Sequence, residues 1–312
     1  MDVSVIIPTY NRLWSLPRAV QSCQGTKCRT EIIVIDDGST DGTWEWLQQQ
    51  PGLVTIRQPN QGQTWAVNRG FQSARGRYVR FLDSDDFLAP GAIDRQFDLA
   101  RAAGAQVVYG RVDDYLESTK EVLAHPDLPE WDDFIAVVLG EGDGSHYLGM
   151  LFDRELFATV PPRRPDFSLR DDRMLLHEIA LLHPRLARSE GCTGYWVRHG
   201  SQMHTGYYGL RTTVAAWQMW QLYERTLSRL ESTGELTPRR ARAASGVLWT
   251  TAHAIARSHL PDALTVVKRI RQIDPGFVPR TESRLTRMLY ATCGYRLTQL
   301  FFRLRRTLLN RH

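Results

Sequence analysis

Three of the four residues from Asp83 to Asp86 are aspartates, and this cluster is the part of the sequence best suited to chemistry. Carboxylates spaced this closely repel one another and raise one another's pKa unless a cation neutralises them. Mg²⁺ and Mn²⁺ bind one or two carboxylates together with the phosphate oxygens of a substrate. The cluster therefore predicts a divalent metal site. The structural alternative is that Asp85 or Asp86 caps a helix predicted to begin near Pro90.

Asp36 and Asp37 form a second acidic site, directly after an apolar run at residues 31–35. A carboxylate in this place can accept hydrogen bonds from a nucleobase N–H or a ribose hydroxyl. The structural alternative is a tight turn that uses the Asp side chains and Gly38. Residues 8–12 (PTYNR), after the first apolar run, contain neither a GxGxxG pattern nor a Walker lysine. Pyrophosphate binding by a glycine-rich turn is therefore disfavoured.

Apolar, strand-like runs alternate with amphipathic helical stretches over residues 1–110, and these elements must position the acidic sites. The predicted strands are residues 3–7, 31–35, 53–57, 78–82 and 106–109, and the predicted helices are residues 13–23, 40–50, 61–74 and 90–103. The alternation favours an α/β fold, Rossmann-like, with a mostly parallel sheet and helices on both faces. Ligands bind such a sheet outside the carboxyl ends of its strands. We therefore expect the three polar segments to meet in one crevice.

The rest of the chain is less regular at first and then all-helical. The pattern predicts a strand at residues 146–152 and helices at residues 153–159 and 173–183. Beyond residue 207 the predicted helices are residues 208–232, 238–258, 261–273 and 283–311. In the last helix, apolar residues recur at i, i+3 and i+4 among arginines. This pattern indicates either packing on the domain or contact with an anionic membrane surface.

Charge is divided unevenly along the chain. Residues 206–312 contain 18 Lys and Arg against 6 Asp and Glu, whereas residues 1–205 contain 21 against 28. The basic end suggests an anionic partner, either nucleic acid or a membrane surface, and a solvated basic face is the simpler alternative. No helix-turn-helix, RRM or zinc-finger pattern supports nucleic acid.

The composition, with 42% hydrophobic and 23% charged residues, excludes collagen-like, low-complexity and wholly disordered classes. No run approaches the roughly 18 apolar residues of a membrane span. The first residues lack the basic and apolar regions of a signal peptide. We therefore expect a cytoplasmic protein, with a peripheral position at the inner face of the membrane as the alternative. The cysteines lack CxxC spacing and are expected to be reduced thiols: Cys23, Cys28, Cys192 and Cys293.

Taken together, the motifs within residues 2–205 resemble the signature of glycosyltransferase family 2. They are residues 4–12 (SVIIPTYNR), 34–43 (VIDDGSTDGT), 60–62 (NQG), 68–70 (NRG), 74–78 (ARGRY) and 82–86 (LDSDD). The resemblance implies a GT-A fold, a nucleotide-diphosphate sugar donor and inversion of the anomeric centre. We expect a catalytic domain at residues 1–205, with a donor half (1–110) and an acceptor half (111–205), followed by a basic helical region at residues 206–312.

The resemblance also implies roles for individual residues. The expected nucleotide-binding residues are Thr9, Tyr10, Arg12, Asp37, Asn68 and Asp83. Asp85, the second aspartate of the DxD motif, is expected to bind Mn²⁺ or Mg²⁺. Residues 195–203 are similar to a loop that closes over the diphosphate in many relatives, with His199 as a metal ligand and Arg198 as a phosphate partner.

An acidic pair, Asp171 and Asp172, precedes a predicted helix where the family usually has Glu-Asp. The resemblance implies Asp172 as the general base and Asp171 as the fallback. Such a base takes the proton of an acceptor hydroxyl as the oxygen attacks the anomeric carbon. The structural alternative is that one of the two aspartates caps the helix.

The sequence thus predicts an inverting, metal-assisted glycosyltransferase that moves a sugar from a nucleotide-diphosphate donor, a UDP-sugar, to a hydroxyl of a glycan or a lipid-linked acceptor. A non-catalytic protein that binds a nucleotide sugar or a polyanion is the alternative of another class. Residues 111–165 are expected to shape the acceptor pocket. The aromatic residues that either stack on sugar rings or belong to the core are Trp65, Trp131, Tyr147, Phe152 and Trp196.

Overall fold

The computed structural model describes residues 1–142, 146–200 and 210–309. The chain divides into two compact units: Met1–Phe134 with Asp143–Thr205, and Ile135–Gly142 with Gly206–His312. Over the described residues, the first unit is mixed α/β and the second is helical.

In the part of the chain that the structure describes, the first unit contains one sheet of nine strands. Their bounds are β1 (Val3–Thr9), β2 (Thr30–Asp36), β3 (Leu53–Arg57), β4 (Tyr78–Phe81), β5 (Phe87–Leu88), β6 (Val107–Leu116), β7 (Glu121–Leu123), β8 (Met150–Asp153) and β9 (Leu186–Arg198). The order across the sheet is β3-β2-β1-β4-β8-β6-β9-β5, and β7 pairs with β6.

The sheet is parallel in one half and mixed in the other. Strands β3, β2, β1 and β4 pair in parallel, as predicted. Strand β8 is antiparallel to both of its neighbours, β4 and β6. Strands β6 and β9 then pair in parallel, with register shifts near Arg111. The predicted α/β fold is confirmed, and the antiparallel β8 is the element that joins its two halves.

Helices of the first unit connect these strands. They are α1 (Leu16–Ser22), α2 (Thr43–Gln48), α3 (Gln63–Ser73), α4 (Ala92–Ala103), α6 (Arg154–Ala158) and α7 (Asp171–Ala180), and α5 (Phe134–Val138) lies at the division between the units. Short 3₁₀ turns occupy Tyr147–Gly149 and Pro165–Phe167. The predicted strand at residues 146–152 is therefore wrong in its first half, since the strand begins only at Met150.

The second unit contains α8 (Leu210–Ser232), α9 (Pro238–Ala256), α10 (Leu260–Ile273) and α11 (Arg284–Leu309). Helix α11 is not the continuous helix that the sequence predicts, because Gly294 adopts φ +72° and ψ 168° and interrupts it. Residues 310 and 311 of that prediction lie outside the described residues. Among the described helices, none has the length and apolarity that crossing a bilayer requires.

Glu31 fixes the starts of the strands that carry the acidic sites. Its buried carboxylate accepts hydrogen bonds from Ser4 Oγ at 2.6 Å, from the Arg75 amide at 2.7 Å and from the Gly76 amide at 3.1 Å. Burial opposes the ionisation of Glu31, but these hydrogen bonds outweigh it and hold the pKa of Glu31 below its usual value. The motif at residues 74–78 therefore positions the start of β4 against β1 and β2.

Arg80 is a buried cation inside β4, where an apolar run was predicted. Its guanidinium donates to the carbonyl oxygens of Leu148 at 2.7 Å and Thr193 at 2.9 Å, and to the side chain of Gln96. Burial lowers the pKa of Arg80 to about 10. The arginine thus ties β4 to α4, to the 3₁₀ turn before β8 and to β9.

Candidate active site

The polar segments that follow β1 and β2 lie side by side. Thr9 and Asp36 are register partners at the ends of these parallel strands, and the amide of Asp37 donates to the carbonyl of Thr9 at 2.9 Å. Asn11 adopts a positive φ of 51°, and its amide donates to Ser39 Oγ at 2.9 Å. The carboxyl ends of the two strands therefore form one continuous edge, as the fold predicts.

Asp37 organises the loop that leads into α3. Its carboxylate accepts hydrogen bonds from Gln58 Nε2 at 2.7 Å and from the amides of Gln61 at 3.0 Å and Gly62 at 2.8 Å. Gly38 has a φ of +80°, and a Cβ there would lie 3.0 Å from the Asn60 amide nitrogen. Gly38 thus turns the chain as the structural alternative expects, Asp37 bonds the loop at residues 58–62, and a contact of Asp37 with a nucleotide stays a prediction.

The carboxylates of Asp83, Asp85 and Asp86 gather immediately after β4. One oxygen of each lies within 4.8 Å of the others. Asp85 Oδ2 is 3.1 Å from His199 Nε2 and 3.6 Å from Arg12 Nε. Three of the predicted site residues, from the segments that follow β4, β9 and β1, are therefore neighbours.

Asp86 has a different environment from the other two aspartates. It is buried, and its Oδ1 accepts a hydrogen bond from the Val197 amide at 2.8 Å. The alternative that Asp85 or Asp86 caps a helix is wrong, because α4 begins at Ala92 and its N-cap residue is Gly91. The cluster is therefore available for a function other than capping.

Burial and mutual repulsion disfavour ionisation in this cluster. Burial, together with the charge of Asp85, raises the pKa of Asp83 to about 7. Burial and both neighbouring carboxylates also raise the pKa of Asp86 well above its usual value. A divalent cation would remove the cause of this repulsion. Carboxylate oxygens and an imidazole nitrogen are a donor set that suits Mn²⁺, and the carboxylates alone suit Mg²⁺.

The acidic pair lies at the start of α7, and its two members differ. Asp171 is buried, and its Oδ2 accepts hydrogen bonds from Arg163 Nη1 at 3.1 Å and from Thr64 Oγ1 at 3.4 Å. Burial raises the pKa of Asp171, although the charge of Arg163 opposes this shift. Asp172 is half-buried. The N-cap position belongs to Arg170, so the aspartates occupy the first turn, where the helix dipole favours negative charge.

Two consecutive residues of α3 connect the DxD motif to the acidic pair. Gln63 Nε2 donates to Asp83 Oδ1 at 2.7 Å, and Thr64 Oγ1 donates to Asp171. Helix α3 begins after Gly62, whose φ of +96° allows the chain to turn there. The motif at residues 60–62 thus places one helix end between the two groups of carboxylates.

Arg163 is a site residue that the sequence did not reveal. Its guanidinium is buried, lies 4.9 Å from the Phe81 ring and 5.5 Å from the Tyr147 ring, and pairs with Asp171. Within the described residues, its Nε and Nη2 atoms have no hydrogen-bond partner. Nothing in the sequence distinguishes Arg163 from its exposed neighbour Arg164.

His146 is a second residue that the sequence missed. Its Nδ1 accepts a hydrogen bond from the Leu148 amide at 3.2 Å, which assigns the proton of the neutral ring to Nε2. Burial lowers the pKa of His146 to about 4, and the negative charge of Asp172 opposes that shift. The ring also contacts Trp196 at a centroid distance of 5.1 Å. A neutral histidine therefore lies in the electrostatic range of the predicted base.

The remaining predicted nucleotide ligands, Thr9, Tyr10 and Asn68, differ in burial and in hydrogen bonding. Thr9 Oγ1 is buried and has no hydrogen-bond partner in the described part of the chain, whereas Tyr10 is exposed. The side-chain amide of Asn68 donates to the Arg163 carbonyl at 2.8 Å and accepts from the Arg163 amide at 2.9 Å. Asn68 thus supports the backbone of Arg163.

Arg198 is the last residue of β9 rather than part of a loop. Its guanidinium forms an ion pair with Asp114 at 3.1 Å and lies 3.5 Å from the Trp196 ring. Residues 201–203 of the predicted closing loop lie outside the described residues. A phosphate contact of Arg198 stays a prediction.

The aromatic candidates for sugar stacking separate by burial. Trp131, Tyr147 and Phe152 are buried core residues, whereas Trp65 is exposed and Trp196 is half-buried. Trp196 lies between His146 and Arg198. Among the five candidates, only Trp65 and Trp196 have side chains that are accessible to solvent.

The sequence model of glycosyl transferase family 2 matches residues 4–159, and the chain belongs to this family. A glycosyltransferase of Nostoc sp., described as uncharacterized, is 30% identical over 65% of this chain and 67% of its own length. The succinoglycan biosynthesis protein ExoO of Rhizobium meliloti is 34% identical over 36% of this chain. The chain spans only 33% of that protein's length.

Solved structures support the fold. Staphylococcus aureus TarS 1-349 in complex with UDP has a TM-score of 0.54 and 16% identity, with 95% of this chain and 92% of that chain covered. The mannosyltransferase PcManGT from Pyrobaculum calidifontis, in complex with GDP-Man and Mn²⁺, has a TM-score of 0.57 and 18% identity, with 96% and 82% covered. The fold is of the GT-A type, and the chain is a glycosyltransferase.

Proposed function

We propose that this glycosyltransferase inverts the anomeric centre of a nucleotide-diphosphate sugar, a UDP-sugar, and transfers the sugar to a hydroxyl of a glycan or a lipid-linked acceptor. The supporting observation is that α3 holds Asp83 through Gln63 and Asp171 through Thr64. The start of α3 thereby connects the DxD segment, which contains Asp85, to the first turn of α7, which contains Asp172. Fixed positions of a cation site and a base relative to each other favour group transfer.

Asp172 is the general base in this proposal. It is the more exposed member of the acidic pair, whereas Asp171 is bonded to Arg163 and Thr64. A carboxylate that accepts the proton of the acceptor hydroxyl during attack lowers the barrier to transfer. Asp171, the fallback, would have to give up its contact with a buried arginine before it could do this.

Asp85 and His199 hold the divalent cation in this proposal. Their side chains are 3.1 Å apart, and Asp83 and Asp86 supply further carboxylate oxygens nearby. A bound Mn²⁺ or Mg²⁺ stabilises negative charge on a departing diphosphate. The Mn²⁺ in the mannosyltransferase neighbour supports the assignment.

In this proposal, the nucleotide-sugar donor binds along the carboxyl ends of the parallel strands. Thr9, Tyr10 and Asp37 line the nucleotide base and ribose, with Asp83 on the ribose. The Thr9 hydroxyl, which has no hydrogen-bond partner among the described residues, supports this role. Arg12, 3.6 Å from Asp85, takes the diphosphate together with Arg198. Asn68 acts on the donor site through Arg163, whose backbone it binds. The UDP in the TarS neighbour supports a UDP-sugar.

The acceptor belongs to a glycan or a lipid-linked glycan. The relative that takes part in succinoglycan biosynthesis supports a polysaccharide acceptor. For the second unit we propose peripheral contact of α11 with an anionic membrane. The non-catalytic alternative is not favoured, because the chain belongs to a family of transferases and retains both acidic groups.

The test is turnover of a panel of UDP-, GDP- and dTDP-sugars with and without Mn²⁺. We expect metal-dependent release of one nucleotide by the wild type, with Asp85→Ala and Asp172→Asn inactive. The exposed Asp98 provides the control, since Asp98→Asn removes one carboxylate of the same unit and should remain active. Activity of Asp172→Asn, or equal activity with and without metal, would contradict the proposal.

A further inference from the structure

The part of α11 that follows Gly294 buries polar side chains and exposes apolar ones. Thr298 and Gln299 are buried, together with Tyr295. The exposed apolar side chains, between 39% and 66% accessible, are Leu297, Leu300, Phe301 and Leu304. At about 100° of rotation per residue, these two sets lie on opposite faces of the helix. A docked amphipathic helix has the reverse arrangement.

The contacts of Gln299 and Tyr290 connect this part of α11 to α9. Thr298 Oγ1 donates to the Gly294 carbonyl at 2.9 Å, and Gln299 Nε2 donates to Tyr290 OH at 2.9 Å. The same Tyr290 hydroxyl lies 2.7 Å from His253 Nε2 of α9. Rotation of the apolar face toward the interior of the unit would break the bond between Gln299 and Tyr290, which costs free energy, whereas the Thr298 bond lies within α11 and does not depend on the orientation.

The charge of the segment indicates what covers the apolar face. Residues 283–312 contain seven arginines and neither aspartate nor glutamate. Arg296, next to Leu297, is exposed. A second copy of this chain would bring two such cationic segments together. A membrane with anionic lipids offers both the negative charge and the apolar layer that an interfacial helix needs.

We propose that Leu297, Leu300, Phe301 and Leu304 insert into the interface of an anionic membrane, where the exposed Arg296 contacts lipid headgroups and the positive charge of residues 283–312 attracts the chain to the surface. This inference rests on the proposed membrane contact of α11 and identifies the face that makes it. Insertion buries apolar surface, and the arginines add attraction that salt screens.

The experiment is flotation of the full chain with vesicles of phosphatidylcholine alone and with vesicles that also contain phosphatidylglycerol. We expect the wild type to bind the anionic vesicles and to dissociate as salt rises. The double variant Leu297→Gln/Phe301→Gln should bind the anionic vesicles at least about tenfold more weakly than the wild type does. The matched control is Val122→Gln/Leu123→Gln on β7, whose side chains are similarly exposed, and it should bind as the wild type does.

Four results would overturn the inference. Absence of vesicle binding by the wild type removes the membrane contact itself, and equal binding of both double variants removes the role of the apolar face. A change from dimer to monomer in sedimentation, with vesicle binding unaltered, would assign the face to a second copy. Salt-sensitive RNA binding that the α11 variant loses, without vesicle binding, would assign it to nucleic acid. Release of nucleotide from the donor by the same variants should be unchanged, so this test and that of the catalytic proposal fail separately.

Discussion

Arg163 donates a hydrogen bond of 3.1 Å from Nη1 to Oδ2 of Asp171, and this contact distinguishes the two members of the acidic pair. Asp171 is buried against the arginine, whereas Asp172 remains half-buried without that bond. Loss of the first carboxylate leaves a buried cation without its partner, and loss of the second removes the proposed base. The two substitutions should therefore have different consequences.

Asp172→Asn should lower kcat by roughly 10²–10⁴-fold, the usual contribution of a general base, with only a small fall in melting temperature from the lost charge in the first turn of α7. Asp171→Asn should lower the melting temperature, because the Arg163 guanidinium loses its charged partner. Steady-state kinetics at saturating donor and circular dichroism separate the two effects. A stable, inactive Asp171→Asn beside an active Asp172→Asn would instead make Asp171 the base.

A double-mutant cycle measures the pair itself. Arg163→Met leaves Asp171 buried without a cation and should cost about 3–5 kcal/mol in the free energy of unfolding. Addition of Asp171→Asn to that variant should recover part of this loss, because the unpaired charge is gone. Arg164→Met is the matched control. It removes an exposed pair with Asp166, so the expected cost is about 0–1 kcal/mol. Additive urea-unfolding results for Arg163 and Asp171 would show that the contact is energetically irrelevant.

The Asp83 cluster should make stability depend on pH and on metal. The pKa of Asp83 is about 7 in the folded chain, against 3.8 for an ordinary aspartate. Between these values the folded chain holds more protons than the unfolded chain, so the free energy of unfolding contributed by Asp83 falls as pH rises. Mn²⁺ needs the deprotonated carboxylates, so its stabilising effect should grow over the same range.

Thermal melts of the wild type and Asp83→Asn from pH 5 to pH 8 measure the contribution of Asp83 and of its effect on Asp86, since titrating groups outside the cluster cancel in the difference. We expect the wild type to lose stability relative to Asp83→Asn as pH rises without metal. We also expect a larger Mn²⁺-induced shift at pH 8 than at pH 5. A pH-independent difference between the two proteins would contradict the raised pKa.

The strands that carry the donor motifs could be predicted because most of their residues are apolar, although β2 also contains the buried Glu31 and β4 the buried Arg80. All seven residues of β1 are buried, which is typical of a central parallel strand. Strand β9 has no such run. Its buried residues follow no regular alternation and its residues include Gly191 and Gly194, so its pairing with β6 and β5 is what makes it a strand. Tertiary register of this kind is not a local property of a sequence.

Some residues of the candidate site could be predicted from the sequence, and others could not. The aspartates after β4 and at the start of α7 belong to motifs, so their positions in the crevice could be predicted. Arg163 could not, because its burial depends on Phe81, Tyr147 and Asp171 from three other segments. The apolar stripe of α11 was visible as a pattern. That it faces outward depends on the bond of Gln299 to Tyr290, which contacts His253 of α9.

The glycine of the motif at residues 74–78 gives a test of the strand starts. A Cβ on Gly76 would lie 2.5 Å from the backbone nitrogen of Ser4, and backbone inside a sheet cannot move aside cheaply. Gly76→Ala should therefore cost about 1–3 kcal/mol in the free energy of unfolding, the usual penalty of overpacking. It should also weaken the bonds of the Gly76 amide to Ser4 Oγ and Glu31.

Gly246→Ala is the matched control for this substitution. Gly246 lies inside α9 and is exposed, and a Cβ there would have no heavy atom within 4 Å among the described residues. Alanine favours a helix over glycine by roughly 0.5–1 kcal/mol, so this variant should be more stable than the wild type. Urea unfolding of both variants decides the matter. If Gly76→Ala were as stable as Gly246→Ala, the close approach of residue 76 to β1 could not be the reason for glycine at that position.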